Sequence, residues 1–208
     1  MALLSAGIQN GCALEYRSVI YRLPSGKALV SDLNLTVARG ETLVLLGRSG
    51  SGKTTTLKLV NRLLEPSDGE IFIAGRLSSD WDPIQLRRGI GYVIQDAGLF
   101  PHWSVERNVA LVPQLEHRSE ERIRARVKEM RSWSVSCLPS LPHGARLNFQ
   151  ADRGSAWGVA RALAADQPIL LMDEPFGALD PVTRVELQRE FRALASPTTA
   201  GVMYCWPD

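Results

Sequence analysis

The sequence predicts an α/β fold that is built around a phosphate-binding loop. An apolar run at Thr42–Leu46 leads directly into the glycine-rich segment Gly47–Thr54, and a second apolar run at Ile169–Met172 ends on two adjacent acids. Short continuous apolar runs of this kind are typical of buried strands in a parallel sheet. The order strand, glycine loop and helix is the one that a phosphate-binding unit requires.

Length and composition narrow the classes of protein. The chain has 208 residues, of which 45% are hydrophobic and 22% charged, as expected for one globular domain with a substantial core. The net charge of +2 gives no support for a dedicated nucleic-acid binder. No apolar run approaches the roughly 20 residues of a membrane-spanning helix, and residues 1–16 make a poor signal peptide. The three cysteines lack a CxxC pair, which favours a reducing compartment.

Strands and helices are expected to alternate around this core. The apolar and polar alternation over 14–38, with a Pro-Ser-Gly turn in the middle, predicts an antiparallel strand pair. A helical pattern follows the glycine loop over 55–64, and residues 131–157 show no pattern. Further strands are expected at 70–75, 90–95 and 169–172, and further helices at 83–88, 117–130, 158–165 and 181–194.

The glycine-rich segment fits the phosphate-loop pattern G-x-x-x-x-G-K-[ST] at every fixed position. Its glycines let successive backbone N–H groups point at phosphate oxygens, and the helix that follows favours the same anion. In this pattern Lys53 pairs with the β- and γ-phosphates, and the Thr54 hydroxyl reaches Mg²⁺. The alternative, a surface loop rich in Gly and Ser, does not explain the Lys-Thr pair. The predicted nucleotide-binding residues of the loop are Gly47, Ser49, Gly50, Gly52, Lys53, Thr54 and Thr55.

Asp173 and Glu174 follow the apolar run at Ile169–Met172. Adjacent carboxylates at the tip of a buried strand indicate a cation or polar ligand there. Beside a phosphate loop we expect this cation to be Mg²⁺, with Asp173 as a ligand through water. Glu174 is then placed to polarise an attacking water as general base. The alternative is that the two acids cap the N-terminus of a helix.

The motifs together resemble the ATP-binding subunit of an ABC transporter. This resemblance implies a RecA-like P-loop NTPase core with an N-terminal antiparallel β lobe and a helical lobe. It also implies a homodimer or pseudo-dimer that encloses two ATP molecules head to tail. The implied domain spans 14–194, with an extension at 1–13, a helical lobe at 97–157 and a truncated C-terminus at 195–208. The resemblance covers 14–130 and 158–194, and its motifs are Gly47–Thr54, Gly91–Gln95, the LLMDEP segment at 170–175 and Gly177–Asp180.

The resemblance also implies roles for single residues. Tyr21 looks like the aromatic residue that stacks on adenine, and Asp180 like the acid that crosses the dimer interface. Gln95 looks like the residue that touches Mg²⁺ and the attacking water, so that Thr54, Gln95 and Asp173 form the implied metal site. The alternatives are that Tyr21 is an ordinary strand aromatic and Gln95 a polar strand end.

A narrower resemblance is to importers of quaternary-amine osmoprotectants such as glycine betaine, choline and carnitine. The segments that carry it are TTTLKLVNRLLEP at 54–66 and GYVIQDAGLFPHWSVERNVALVP at 91–113. It implies a polytopic membrane permease that contacts the Gln95–Trp103 region, and a substrate-binding protein that takes part indirectly. It implies no nucleic acid, and a cytoplasmic location that is peripheral on the inner face of the cell membrane. The alternative for the aromatic residues Phe100–Trp103 is local packing in a helical lobe.

The sequence departs from the family in two places. The family's signature Leu-Ser-Gly-Gly-Gln, which contributes to the partner subunit's ATP site, is expected shortly before Gly158. Residues 148–157 instead read Asn-Phe-Gln-Ala-Asp-Arg-Gly-Ser-Ala-Trp, and Asp152 has the wrong charge for a phosphate contact. A switch histidine is expected after Asp180, but the three histidines all precede that position: His102, His117 and His143.

A change of reading frame accounts for the missing signature. Plausible codons for 148–157, read from the third base of the first codon, spell Leu-Ser-Gly-Gly-Gln-Gly-Gln-Arg-Val, and the same frame turns 131–134 into Leu-Leu-Glu. We hypothesise that 131–157 are out of frame; the alternative is a divergent helical lobe. Sequencing the gene tests this prediction, because an Asp152 codon other than GAC removes the glutamine from the second reading and contradicts the hypothesis.

Two function classes follow from these observations. The first is a transport ATPase subunit that binds MgATP, dimerises and hydrolyses ATP with Glu174 and Gln95. The second is a hydrolysis-deficient remnant or pseudogene product, because the loss of even one donor to a transferring group costs on the order of 10²–10³ in rate, by analogy with oxyanion holes. The missing motifs favour the second class for the chain as it stands. A soluble ABC protein of DNA repair or translation fits less well, given the near-neutral charge.

Overall fold

The computed structural model describes residues 11–95, 98–137, 151–177, 184–185, 187–189, 191 and 201–206, with the backbone alone at 134–137, 151–155 and 206. The chain forms two compact units. The first comprises Met1–Tyr92, Gln167–Asp173 and Thr198–Asp208, and the second comprises Val93–Asp166 and Glu174–Pro197.

The secondary structure alternates between strands and helices, as the apolar patterns predict. The strands are β1 Cys12–Arg22, β2 Ala28–Ala38, β3 Glu41–Leu46, β4 Asp68–Ile73, β5 Arg76–Leu77, β6 Ile90–Val93, β7 Ile169–Asp173 and β8 Gly201–Trp206. The α-helices are α1 Lys53–Val60, α2 Pro83–Arg88, α3 Val105–Leu115, α4 Glu120–Cys137 and α5 Ala151–Ala164. No described helix is both long enough and apolar enough to cross a membrane.

The antiparallel sheet of the first unit has the strand order β2-β1-β4-β5. The predicted strand pair over 14–38 is present, with Tyr16 opposite Leu35 and Val19 opposite Leu33. The turn between the two strands is closed by a hydrogen bond from the Gly26 N–H to the Leu23 carbonyl, at 2.8 Å. Gly26 has a φ of +84°, a conformation that glycine adopts without steric cost.

The second sheet has the order β3-β8-β7-β6. β7 is buried along its whole length, as its apolar run predicts. The expectation that the strand before the glycine loop is buried is wrong for three of its five side chains, those of Thr42, Val44 and Leu46. Val44 is 36% exposed and Leu46 68% exposed. β3 lies at one edge of this sheet. Leu43 and Leu45 pack against the core, and the alternate side chains point to the opposite face of the strand.

β8 completes this sheet between β3 and β7. The expected truncated C-terminus at 195–208 includes the residues of this strand. The sequence indicates only the start of a strand, at Val202–Tyr204. The structure instead forms a strand over Gly201–Trp206, and Met203 pairs in parallel register with Leu43 of β3 and Leu171 of β7. The strand forms because its side chains at 201–205 are buried, so their apolar surface is removed from water.

Helix α1 packs against the parallel sheet through Leu57, Leu59 and Val60, which are all fully buried. It begins at Lys53 and ends at Val60, not at residue 64 as the helical pattern predicts. The chain turns back because Arg62 has a left-handed φ of +53°. The N–H groups of Leu63 and Leu64 then both bond to the Lys58 carbonyl, at 3.0 and 3.1 Å.

In the second unit, α3, α4 and α5 pack on one another. The predicted helix over 117–130 continues to Cys137, and α5 begins at Ala151 rather than at Gly158. Residues 131–137 and 151–157 are thus helical although their sequence shows no helical pattern, while 138–150 lie outside the described residues. The reason is burial of two large side chains: Trp133 is 5% exposed and Trp157 is 2% exposed. The hypothesis of a changed reading frame stays a prediction.

Two arginines, Arg118 just before α4 and Arg126 within it, contact the residues at the end of α5. Arg118 and Arg126 contact the two carboxylate oxygens of Asp166, at 3.0 and 2.6 Å. Arg126 also donates to the Leu163 carbonyl at 2.8 Å. These charge-assisted hydrogen bonds hold the last turn of α5 against α4.

Candidate functional site

The glycine loop is wrapped around the side chain of Lys53. Gly47, Gly50 and Gly52 have φ values of +151°, +80° and +90°, which bend the backbone between β3 and α1. The Lys53 ammonium donates to the carbonyl of Gly47 and, at 3.1 Å, to that of Arg48. Because α1 begins at Lys53, its free N–H groups and this ammonium lie at the same end of the loop, a favourable arrangement for a phosphate.

Gly52 lies close to the antiparallel sheet. A Cβ at this position would lie 2.5 Å from the Leu29 carbonyl oxygen, which is closer than such atoms can approach. The loop can therefore reach this position only with a glycine. Leu29 precedes Val30, the residue paired with Tyr21 across the strands, so Tyr21 lies one strand away from the loop.

We expect Gly52→Ala to distort the loop and to weaken nucleotide binding, with a cost to stability of about 1–3 kcal/mol from backbone strain and a further cost from the contact with Leu29. Thermal unfolding and nucleotide titration measure both effects. Gly50→Ala is the matched control, because Gly50 also has a positive φ but a Cβ there would meet no atom within 4 Å. Equal losses in the two variants would contradict a role for the Leu29 contact.

Thr54 and Asp173 bring together two motifs that lie 119 positions apart in the sequence. The Thr54 Oγ1 donates to the Asp173 Oδ1 at 2.9 Å, and Asp173 is only 4% exposed. Two hard oxygen donors beside a phosphate loop fit Mg²⁺, which takes one or two carboxylates together with phosphates and waters. Burial, together with the charges of Asp173 and Cys205, raises the pKa of the neighbouring Tyr92 to about 12.

The second unit carries the other two residues of the predicted catalytic set. The Gln95 Nε2 donates to the Glu174 Oε2 at 3.2 Å. Glu174 has a φ of +48°, an uncommon conformation for a non-glycine residue, and its carbonyl accepts from the Gly177 N–H at 3.0 Å. A tight turn therefore begins directly after β7 at Glu174, and the role of Glu174 as general base stays a prediction.

The aromatic residues after Gln95 form a cluster that is partly packed and partly exposed. Phe100 and Trp103 stack with their ring centroids 4.4 Å apart, and the Arg107 guanidinium lies 4.2 Å from the Trp103 centroid. Phe100 is nevertheless 38% exposed. The cluster therefore shows both the local packing and the exposed aromatic surface that the sequence leaves as alternatives.

The structure describes only some of the other residues for which the sequence predicts a role. Tyr21 is partly buried against the core, as an ordinary strand aromatic is, and the remainder of its side chain is exposed. Asp180 and residues 148–150 lie outside the described residues, as do 96–97 and the side chain of Asp152. Their implied roles stay predictions.

Two polar residues that the sequence patterns do not single out hold the backbone at Gly98 and Phe100. Asn108 is fully buried and bonds to the backbone of Phe100, and Arg161 bonds to the backbone of Gly98. Both lie within otherwise apolar stretches, NVALV and GVARALA. A single polar residue on the buried face of a helix was the available signal, because such a group requires a hydrogen-bond partner.

The fold and the loop define a P-loop nucleotide-binding domain. Among known structures, a dimeric post-hydrolysis state of the ATP-binding cassette MJ0796 bound to ADP and Pi is similar, with a TM-score of 0.80, 27% identity, and coverage of 94% of this chain and 88% of that one. Residues 30–177 match the family described as ABC transporter. The chain belongs to this family.

Curated relatives are similar over nearly the whole chain. The glycine betaine/carnitine/choline transport ATP-binding protein OpuCA of Bacillus subtilis (strain 168) is 43% identical over 94% of this chain and 50% of its own length. The glycine betaine uptake system ATP-binding protein YehX of Escherichia coli (strain K12) is 48% identical over 83% of this chain and 56% of its own length. The chain thus spans about half the length of the curated relatives it matches.

Proposed function

We propose that this chain is the ATP-binding part of an importer that takes up a small solute, a quaternary-amine osmoprotectant. The observation that carries the proposal is the hydrogen bond between Thr54 and Asp173. It joins the phosphate loop to the acid at the end of β7, the two parts that a P-loop ATPase needs in one place. The substrate class follows from the relatives, whose names specify glycine betaine, carnitine and choline.

The first unit supplies the groups that hold the nucleotide. The loop N–H groups and the Lys53 ammonium bind the phosphates of ATP. The Thr54 hydroxyl and the Asp173 carboxylate are the proposed ligands of Mg²⁺, which neutralises phosphate charge when it is bound. Tyr21 is the proposed contact for adenine, since its strand neighbour Val30 follows the residue that meets Gly52.

The second unit supplies the groups that act on water. Glu174 is the proposed general base, which removes a proton from the attacking water. Gln95 donates to the Oε2 of Glu174 and so orients the carboxylate, whose Oε1 is the acceptor that we assign to water. Gln95 is also a proposed contact of Mg²⁺ and of the same water.

The proposed partners extend this function to a membrane. A polytopic permease contacts the Gln95–Trp103 region, where the exposed part of Phe100 offers an aromatic contact surface. A second copy of the chain closes the ATP sites, and a substrate-binding protein takes part indirectly. The chain then acts on the inner face of the cell membrane.

The similarity to importer subunits favours this function over a hydrolysis-deficient remnant. Identities of 43% to OpuCA and 48% to YehX support a working member of the family. Residues 148–157 depart from the family signature, so phosphate release is the measurement that distinguishes the two functions.

Two measurements on the purified chain test the proposal. We expect saturable ATP binding that is strengthened by Mg²⁺, and phosphate release whose specific rate rises with protein concentration as dimers form. Binding without phosphate release at any concentration contradicts the ATPase part and supports the remnant. Uptake of radiolabelled glycine betaine by cells that express the chain with its genomic permease tests the transport part, and unchanged uptake without the chain contradicts it.

A further inference from the structure

The segment from Ile94 to Ser104 connects the Gln95–Glu174 pair to the aromatic cluster of Phe100 and Trp103. Its backbone is held at two points by side chains from two different helices. Arg161 of α5 holds Gly98, and Asn108 of α3 holds Phe100. Both side chains bond to main-chain atoms, so they hold the backbone at Gly98 and at Phe100.

The first point is a close contact between Arg161, Gly98 and Ile94. The Arg161 Nη1 donates to the Gly98 carbonyl at 2.7 Å. Gly98 has a φ of +56°, and a Cβ there would lie 2.7 Å from the Ile94 Cδ1 and 3.4 Å from the Arg161 Nη2. Gly98 thus lies against the side chain of Ile94, the residue directly before Gln95.

Arg161 depends on this hydrogen bond because its guanidinium is partly buried. Burial lowers the pKa of the Arg161 guanidinium from its usual value, because a charged group loses hydration in the interior. A guanidinium in such a place is stable only where its N–H groups are hydrogen-bonded. The hydrogen bond to the Gly98 carbonyl offsets part of the free-energy cost of this desolvation. It therefore explains the presence of an arginine in the apolar helix α5.

The second point at which the backbone is held is Phe100, which bonds to the side chain of Asn108. The fully buried Asn108 accepts from the Phe100 N–H at 2.8 Å and donates to the Phe100 carbonyl at 3.1 Å. It also donates to the Ser104 carbonyl at 3.1 Å. With Phe100 anchored in this way, the contact of Gly98 with Ile94 is left to the hydrogen bond from Arg161.

We propose that Arg161 is a positioning residue for hydrolysis: by holding the Gly98 carbonyl, it keeps the Gln95 amide against the Glu174 carboxylate. The inference rests on the proposed function, because it gives Gln95 and Glu174 a part in hydrolysis. Arg161 itself touches neither member of this pair in the described contacts. Its effect passes through the contact between Gly98 and the side chain of Ile94, the residue directly before Gln95.

The test compares Arg161→Met with Arg124→Met in the full chain. Arg124 is the matched control, because it is an exposed arginine on α4 that bonds to Glu120. We expect Arg161→Met to lower kcat by about 10²-fold, the size of effect that a 1 Å misplacement produces, with the Kd for ATP and the thermal midpoint unchanged. We also expect faster amide hydrogen exchange over 94–100, with no change at 105–115. Arg161→Lys should recover part of kcat, because its ammonium can donate to the same carbonyl.

A second variant approaches the contact from the other side. Gly98→Ala places a methyl group against Ile94 and at an unfavourable φ, so we expect it to reproduce the loss of kcat and the faster exchange. Unchanged exchange over 94–100 in both variants overturns the inference, as does a loss of kcat that only accompanies a lower thermal midpoint and a weaker Kd. If the wild-type chain releases no phosphate, the proposed ATPase activity fails, while the exchange measurement still decides whether Arg161 holds the segment.

Discussion

The Glu174→Gln variant is expected to lose ATP turnover and to keep its nucleotide. Glutamine has nearly the same shape as glutamate but cannot accept the proton of an attacking water. General-base catalysis typically contributes 10²–10⁴-fold, so we expect phosphate release to fall by about that factor. Single-turnover phosphate release measures the loss, and equilibrium titration with ATP and Mg²⁺ shows whether the nucleotide still binds.

The control for this variant is Glu121→Gln, which removes an exposed carboxylate from the first turn of α4. We expect its turnover to equal that of the wild type. A Glu174→Gln variant that retains turnover within a few-fold of the wild type would rule out Glu174 as the general base. Equal losses in the two variants would indicate a general effect of charge rather than a role in proton transfer.

The second large effect is expected from Lys53→Ala, which should weaken ATP binding. Lys53 is the ammonium enclosed by the loop, where it bonds to the carbonyls of Gly47 and Arg48. A hydrogen bond to a charged group is worth about 1.5–3 kcal/mol, so we expect the Kd for ATP to rise by about 10- to 100-fold. Isothermal titration with ATP in the presence of Mg²⁺ measures this change.

Lys58→Ala is the control that separates the loss of the ammonium in the loop from a general change of charge in α1. Lys58 lies in the last turn of the same helix, so its loss tests whether any change of charge in α1 alters nucleotide affinity. We expect the Kd of this variant to match the wild type. ATP binding by Lys53→Ala with unchanged affinity would contradict the proposed phosphate site in the loop.

Local patterns predicted much of the fold because they act over short stretches of chain. The strand pair over 14–38, the buried strand at β7 and the short helix over 83–88 each depend on residues within a few turns of one another. The loop pattern at Gly47–Thr54 likewise carries its own chemistry in consecutive residues. In the same way the order of the motifs was sufficient to indicate the family.

Packing decided the features that these patterns missed. The apolar pattern predicts that Val44 and Leu46 are buried, but both are exposed. β3 lies at one edge of its sheet, and the order of strands in a sheet is not a local property of the sequence. Residues 131–137 and 151–157 read as irregular, yet burial of Trp133 and Trp157 accompanies helices there. The free energy of burial depends on what an element packs against, so a single stretch of sequence does not contain it.

The sequence by itself determined which residues carry the chemistry: the lysine and threonine of the loop, and the two acids after β7. Only the tertiary structure decided how they pair, with Thr54 bonded to Asp173 and Gln95 bonded to Glu174. It alone revealed Arg161, whose role depends on a carbonyl 63 positions away. Hydrogen bonds act over about 3 Å in space, and only the folded chain brings residues so distant in sequence to that distance.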